Sequence, residues 1–324
     1  MRKLIDPFLA ILITTVLLAS VLPARGAAAA AVGNLATAAI VVLFFLHGAR
    51  LARENLVAAL GHWRLHLIIL SITFLLFPLL GLALATSLHG VMPAGLWTGV
   101  LFLCALPSTV QSSIAFTSIA RGNVAGTVAS AATSNMLGIG LTPLIVGAIT
   151  QAHGGSVSLS GIWDIVGQLL VPFTLGHLLR PWIGGWVARH RKLLSFTDRG
   201  TVILAVYSAF SAAVVEGIWH QVSVPNLAVL VLVDAALLAA VLLLSGFTAR
   251  RLGFNKEDEI SIVLCGSKKS LVSGVPMARV LFAPSAMGAA VLPVMIFHQM
   301  QLMVCAWLAK RYGSRPGAPM TEEH

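Results

Sequence analysis

The chain is a succession of long apolar runs joined by short polar links, and the runs themselves carry the secondary-structure signal. A helix crossing a bilayer needs about 20 mostly apolar residues. Ten such runs can be read, at 7–24, 33–49, 65–87, 94–120, 124–149, 162–180, 201–219, 227–248, 259–283 and 287–309. A transmembrane barrel would show short strands of alternating polarity; continuously apolar runs predict helices. A Gly/Ser-rich stretch at 150–161 halves the chain, with five runs on each side. Five is odd, so the second half enters the membrane from the opposite face, as in an inverted repeat. The pattern predicts an all-α membrane protein: a first five-helix repeat over 1–150, a second, inverted one over 151–311, and a polar tail over 312–324.

Composition narrows the class. The 324 residues are 58% hydrophobic and 10% charged, where soluble domains carry about 25% charged residues. This excludes an ordinary soluble protein, and the hydrophobicity excludes disorder. The net charge of +10 would suggest nucleic acid in a soluble chain. Here the basic residues fall in the links that a cytoplasmic N-terminus places inside, which is the positive-inside bias. Arg25 lies in an outer link, and Lys268, Lys269 and Arg279 lie within the ninth run. The expectation is a multi-pass protein of the cell (inner) membrane if bacterial, with both termini cytoplasmic and no nucleic-acid partner. Arg2, Lys3 and the Ala-rich 26–31 segment imitate a signal peptide. The run from Phe8 to Leu22 is long for one, and cleavage would leave an odd number of spans, so it is read as the first span. Cys104, Cys265 and Cys305 are scattered in apolar runs without ligand spacing and read as structural thiols. His62 and His66 are four apart, but beside Arg64 at a membrane edge. No nucleophile–base arrangement or phosphate loop is visible. Neither an enzyme, a metal site nor a cofactor is expected.

Candidate chemistry sits inside two spans. Transporter sites lie near the midplane on helices interrupted at matching positions of the two halves. The fourth run is interrupted at Pro107, followed by Ser108, Thr109, Gln111, Ser112 and Ser113. The ninth, its counterpart, carries Gly266, Ser267, Lys268, Lys269, Ser270, Ser273, Gly274 and Pro276. A lysine at a helix centre costs roughly 2.5–3.5 kcal/mol on insertion scales, so two in succession need a reason. They could snorkel toward the cytoplasm, bind an anion, or stand as a fixed ammonium in place of a bound cation. In the fifth run Ser134 and Asn135 are expected to line the site, with Ser130 on the same face as Ser134. Of the acids within spans, Asp164 and Glu216 lie toward the outer ends, with His220 just beyond Glu216. Asp234 is deeper and is the expected charge partner of a lysine or Arg279.

The segments LFFLHGARL, LPSTVQSSIAFTSIARGN, SNMLGIGLTPL and FNKEDEISIVLCGSKKSLVSGVPMARVLF resemble the bile acid:sodium symporter family, most of all its orphan branch typified by vertebrate member seven and many bacterial proteins. The resemblance implies ten helices, with a panel of spans 1, 2, 6 and 7 and a core in which interrupted helices 4 and 9 cross. Sodium-coupled members carry P-G-G-x-x-S-N at the first break, which here reads Pro107 to Ser113, with Ser112 at the serine ligand and Ser113 at the asparagine. Their E-x-x-x-Q-N places Leu264 at the glutamate, Lys268 at the glutamine and Lys269 at the asparagine. A third-helix Q-F-x-x-M-P places Thr73 at a further ligand. The shared sodium acid is therefore absent and positive charge has arrived. The expected function is alternating-access transport of a small organic anion, with Na+ coupling at one residual site, proton coupling through a lysine, or no coupling. The other reading, from the vertebrate branch, is a non-transporting regulator of cation (calcium) homeostasis.

Overall fold

The computed structural model describes residues 7–50, 61–152, 166–217 and 222–315, and among them the regular structure is entirely helical. The elements are α1 (Pro7–Val21), α2 (Gly26–Arg50), α3 (Trp63–Ser87, with a π-helical turn at Ile72–Leu76), α4 (Ala94–Ala105), α5 (Gln111–Ile119) and α6 (Val124–Ala152). They continue as α7 (Val171–Arg189, entered through a π turn at Val166–Leu170), α8 (Arg191–Val215), α9 (Val224–Arg251), α10 (Lys256–Gly266), α11 (Leu271–Leu281) and α12 (Pro284–Gly313). Among the described residues, six helices are long and apolar enough to cross a membrane: α2, α3, α6, α8, α9 and α12. Large apolar side chains such as Trp182, Phe196, Leu243 and Leu144 remain exposed around them. Exposed apolar surface on this scale belongs against lipid, not water.

The 94–120 and 259–283 runs each form two half-helices. Leu106 is extended, as a residue before proline must be, and α4 stops there. The second interruption differs from expectation: the chain leaves the helix at Ser267–Ser270, so both lysines lie in the break, while Pro276 stays inside α11. Strong start signals fix these half-helices. Asn255 caps α10 through the Asp258 N–H (2.8 Å), with Glu257, Asp258 and Glu259 in the first turn beside the positive helix end. Ser270 caps α11 through the Ser273 N–H. The sixth and seventh spans also differ from expectation. α7 continues to Arg189 and α8 begins at Arg191, so the basic 181–200 link is two helix ends meeting at His190. Basic residues ended the apolar run there without ending the helix.

α1, α2, α7 and α8 pack together, and α3–α6 pack with α9–α12. The α2–α7 crossing is made by glycine. A Cβ on Gly48 would fall on the Phe173 carbonyl oxygen, and one on Gly176 on the Phe45 carbonyl oxygen. Arg50 and Asp198 (2.6 Å) join α2 to α8. At the start of α10, Asn123 Nδ2 donates to Asp258 Oδ1 (2.7 Å), and Arg315 reaches Glu257 and the carbonyls of Ala120 and Arg121. Arg2, Lys3, Arg53, Asp164, His220, the junction beyond Ala152 and the tail beyond Arg315 lie outside the described residues.

Candidate functional site

The two breaks meet, and prolines decide which backbone groups are left to meet with. In α3 the Phe77 N–H bonds the Ile72 carbonyl in the π turn. The next residue, Pro78, has no N–H to give. The Thr73 carbonyl is thereby left without a partner in its own helix. In α4 the Cys104 carbonyl would normally receive the Ser108 N–H, but that group donates to Ser134 Oγ (3.0 Å), and Pro107 has none to offer. Leu106 lies in the extended break. Three carbonyls in the interior therefore need donors, since a buried backbone acceptor without one costs about 1–3 kcal/mol.

Lys269 supplies them. Its Nζ donates to Thr73 O (2.7 Å), Cys104 O (2.7 Å) and Leu106 O (2.8 Å). It also lies 4.1 Å from the centroid of the Phe77 ring. An ammonium has three donors, and here each has a carbonyl. The side chain is fully buried. Its backbone is clamped from α12: Gln301 Oε1 accepts the Lys269 N–H (2.8 Å) and Gln301 Nε2 donates to the Lys269 carbonyl (2.9 Å). Further bonds close the junction. Ser270 N donates to Pro107 O (2.9 Å), Ser108 Oγ to Cys265 O (2.6 Å), Asn135 Nδ2 to Ser108 O (2.7 Å), and Ser273 Oγ to Asn135 Oδ1 (2.9 Å).

The expected site residues divide accordingly. Ser108, Ser134, Asn135, Lys269 and Ser270 come together at the junction. Thr73 belongs to it through its carbonyl; its hydroxyl bonds back to Ile69 O (2.8 Å). Ser267 likewise bonds its own helix at Val263 O (2.5 Å). Thr109, Ser112 and Ser113 form a hydroxyl cluster at the start of α5, with Thr109 2.7 Å from Ser112 and 3.1 Å from Ser113. Lys268 points away from Lys269. It is fully buried 3.8 Å from the Phe116 ring centroid, and its Nζ has no hydrogen-bond partner among the described residues. Gln111 is exposed at the start of α5 rather than in the junction. Ser130 pairs with His66 (2.6 Å).

Asp234 is the clearest correction. It is fully buried on α9, and neither carboxylate oxygen has a hydrogen-bond partner among the described residues. Neither lysine pairs with it: every Lys269 donor is taken by a carbonyl, and Lys268 lies against the Phe116 ring instead. Arg279 also turns elsewhere, to Ser208 and the Gly33 carbonyl. Gln301 is the residue that sequence reasoning missed. Its signal was a cluster of polar side chains, His298, Gln299 and Gln301, inside the last apolar run.

Membrane-length apolar helices and two interrupted helices joined in the interior define a multi-pass integral membrane protein. Comparison with known proteins makes the class specific. The profile of the SBF-like CPA transporter family matches residues 6–314. The protein named "Putative symporter YfeH" of Escherichia coli (strain K12) is 55% identical over 96% of this chain and 93% of its own. Uncharacterized protein PA2026 of Pseudomonas aeruginosa is 55% identical over 97% and 95%. Sodium/bile acid cotransporter 7 of Rattus norvegicus is 27% identical over 82% and 79%. The chain belongs to the SBF-like CPA transporter family and is a membrane transporter, as the resemblance of its break segments implied.

Proposed function

We propose that the protein is a secondary transporter of a small organic anion in which Lys269 fills, as a tethered ammonium, a place that a free cation would otherwise take. The observation that carries this reading is the Lys269 Nζ bonded to three carbonyls liberated by two prolines. Three oxygens at one point are what a sodium ion would seek, and an ammonium already there repels it. Sodium is not required at this position. Lys269 is committed to backbone and Lys268 is sealed against Phe116, so neither touches cargo.

In this reading the chain has ten spans in two inverted repeats. Half-helices α4–α5 and α10–α11 form the fourth and ninth. α1, α2, α7 and α8 act as a panel against which the other helices rock, giving alternating access. Both termini are cytoplasmic, in the inner membrane of a bacterial cell. Ser108, Ser112, Ser113, Ser134, Asn135 and Ser270 supply the oxygens and donors around the junction.

The test is thermal stability of the purified protein in sodium chloride against choline chloride at matched ionic strength. A ligand of the native state raises stability by RT ln(1 + [L]/Kd). The expected outcome is no sodium-specific rise. A sodium-specific rise in the wild type would sink the tethered-cation reading and restore sodium symport. Labelled organic anions that do raise the midpoint are then taken to uptake into sealed liposomes, where transport must follow.

A further inference from the structure

The break and α11 carry three cations into the interior, and they are not equivalent. Lys268 and Lys269 are fully enclosed. Arg279, near the end of α11, is partly exposed, stands where α11 packs on α8, and reaches α2 at Gly33. Its Nη1 donates to Ser208 Oγ of α8 (2.7 Å) and its Nη2 to the Gly33 carbonyl of α2 (2.8 Å). Gly33 makes room for it, since a Cβ there would lie 3.1 Å from Nη2. Among the described residues no ion pair includes Arg279, and its Nε is buried without an acceptor. Ser211, three residues beyond Ser208 and on the same face of α8, is buried, and its hydroxyl has no partner among the described residues.

A guanidinium inside a membrane protein is paired with an anion or with backbone carbonyls, and only an anion neutralises its charge. Here, among the described residues, it holds two neutral oxygens, from helices of the other packing group. Its planar fork matches the two oxygens of a carboxylate. We propose that Arg279 receives the carboxylate of the transported organic anion, exchanging Ser208 and the Gly33 carbonyl for the cargo's two oxygens, with Ser211 as an additional donor. This rests on the transporter reading above and moves charge recognition from the lysines to Arg279. The Arg279–Ser208 and Arg279–Gly33 bonds occupy the fork when no cargo is present. Binding releases α11 from α2 and α8 at one stroke.

The experiment titrates the purified full-length protein, in choline buffer, with choline salts of acetate, benzoate, glutarate and taurocholate, and with choline sulfate as a non-planar oxyanion. At least one carboxylate raises the midpoint saturably in the wild type. Arg279→Gln abolishes the rise, and Arg279→Lys weakens binding at least about tenfold by losing the fork. Ser208→Ala removes a competing acceptor and tightens carboxylate binding roughly two- to tenfold. A purely structural tie would instead leave anion affinity unchanged in Ser208→Ala while lowering the midpoint. A wild-type response retained in Arg279→Gln overturns the assignment, as does a wild type that no carboxylate stabilises. Liposome uptake separates the two levels. Uptake of any of these anions that Arg279→Gln leaves intact spares the transporter reading, whereas uptake of none by the wild type counts against that reading itself.

Discussion

Two helix crossings in this protein bring backbones into contact by opposite means. At α2–α7 the helices stay regular, and side chains are removed: Gly48 and Gly176 let each backbone rest on the other's carbonyl. At the junction of the breaks the side chains stay and helix is removed. The exposed backbone is then satisfied by Lys269, Asn135, Ser134, Ser108 and Gln301. The first solution is steric and tolerates no added atom. The second is electrostatic and can be rewired, because its bonds are exchangeable with water, ions or cargo.

The largest effect should come from the steric crossing. Gly48→Val or Gly176→Val places side-chain atoms on backbone that no rotamer change can clear, a loss above about 4 kcal/mol. The expected readout is loss of monodisperse protein on extraction, with no rescue by salt or anion. Next comes Lys269→Ala, which leaves three buried carbonyls without donors at about 1–3 kcal/mol each. Here rescue is expected: the variant should gain a midpoint rise in sodium over choline, or with ethylammonium, that the wild type lacks. Absence of any cation rescue would mean that the carbonyls reorganise and the contrast with the glycine crossing is lost. Lys268→Met should be far milder, within about 1 kcal/mol of wild type. It forfeits one contact with the Phe116 ring while removing an unpaired buried charge. Smallest of all, Gln111→Ala should stay within about 0.5 kcal/mol and leave the cation response of Lys269→Ala unchanged when the two are combined.

Much of the architecture was legible because periodicity and proline act locally. The apolar runs located most of the helices, Pro107 located the end of α4, and the polar residues between Gly266 and Pro276 marked the ninth run as interrupted. What remained hidden depends on neighbours. Thr73 looked like a hydroxyl ligand, but its contribution is a carbonyl that the π turn and Pro78 expose, and only the approach of α10–α11 to α3 reveals its partner. Nothing in the pair Lys268–Lys269 says which side chain turns to the carbonyls and which to Phe116. Asp234 looked like a counter-charge because acids and bases in spans usually pair. The carbonyl cage had already taken the donors of Lys269, and Lys268 turns to Phe116. Arg279 was readable as a charge but not as one left with neutral partners.

The tether on Lys269 has a thermodynamic consequence. An ion that binds on one side of a membrane and departs on the other performs work equal to the fall in its electrochemical potential. A charge covalently fixed to the chain returns with every cycle, so it draws nothing from a salt gradient, however steep. It also never needs loading, because its local concentration does not depend on the medium. All three of its protons are held by carbonyls, and a proton is the one thing this position could hand across. On the proposed reading, the carbonyl cage around Lys269 exchanges an energy source for permanent occupancy, and the cargo's own gradient or a proton is left to drive transport.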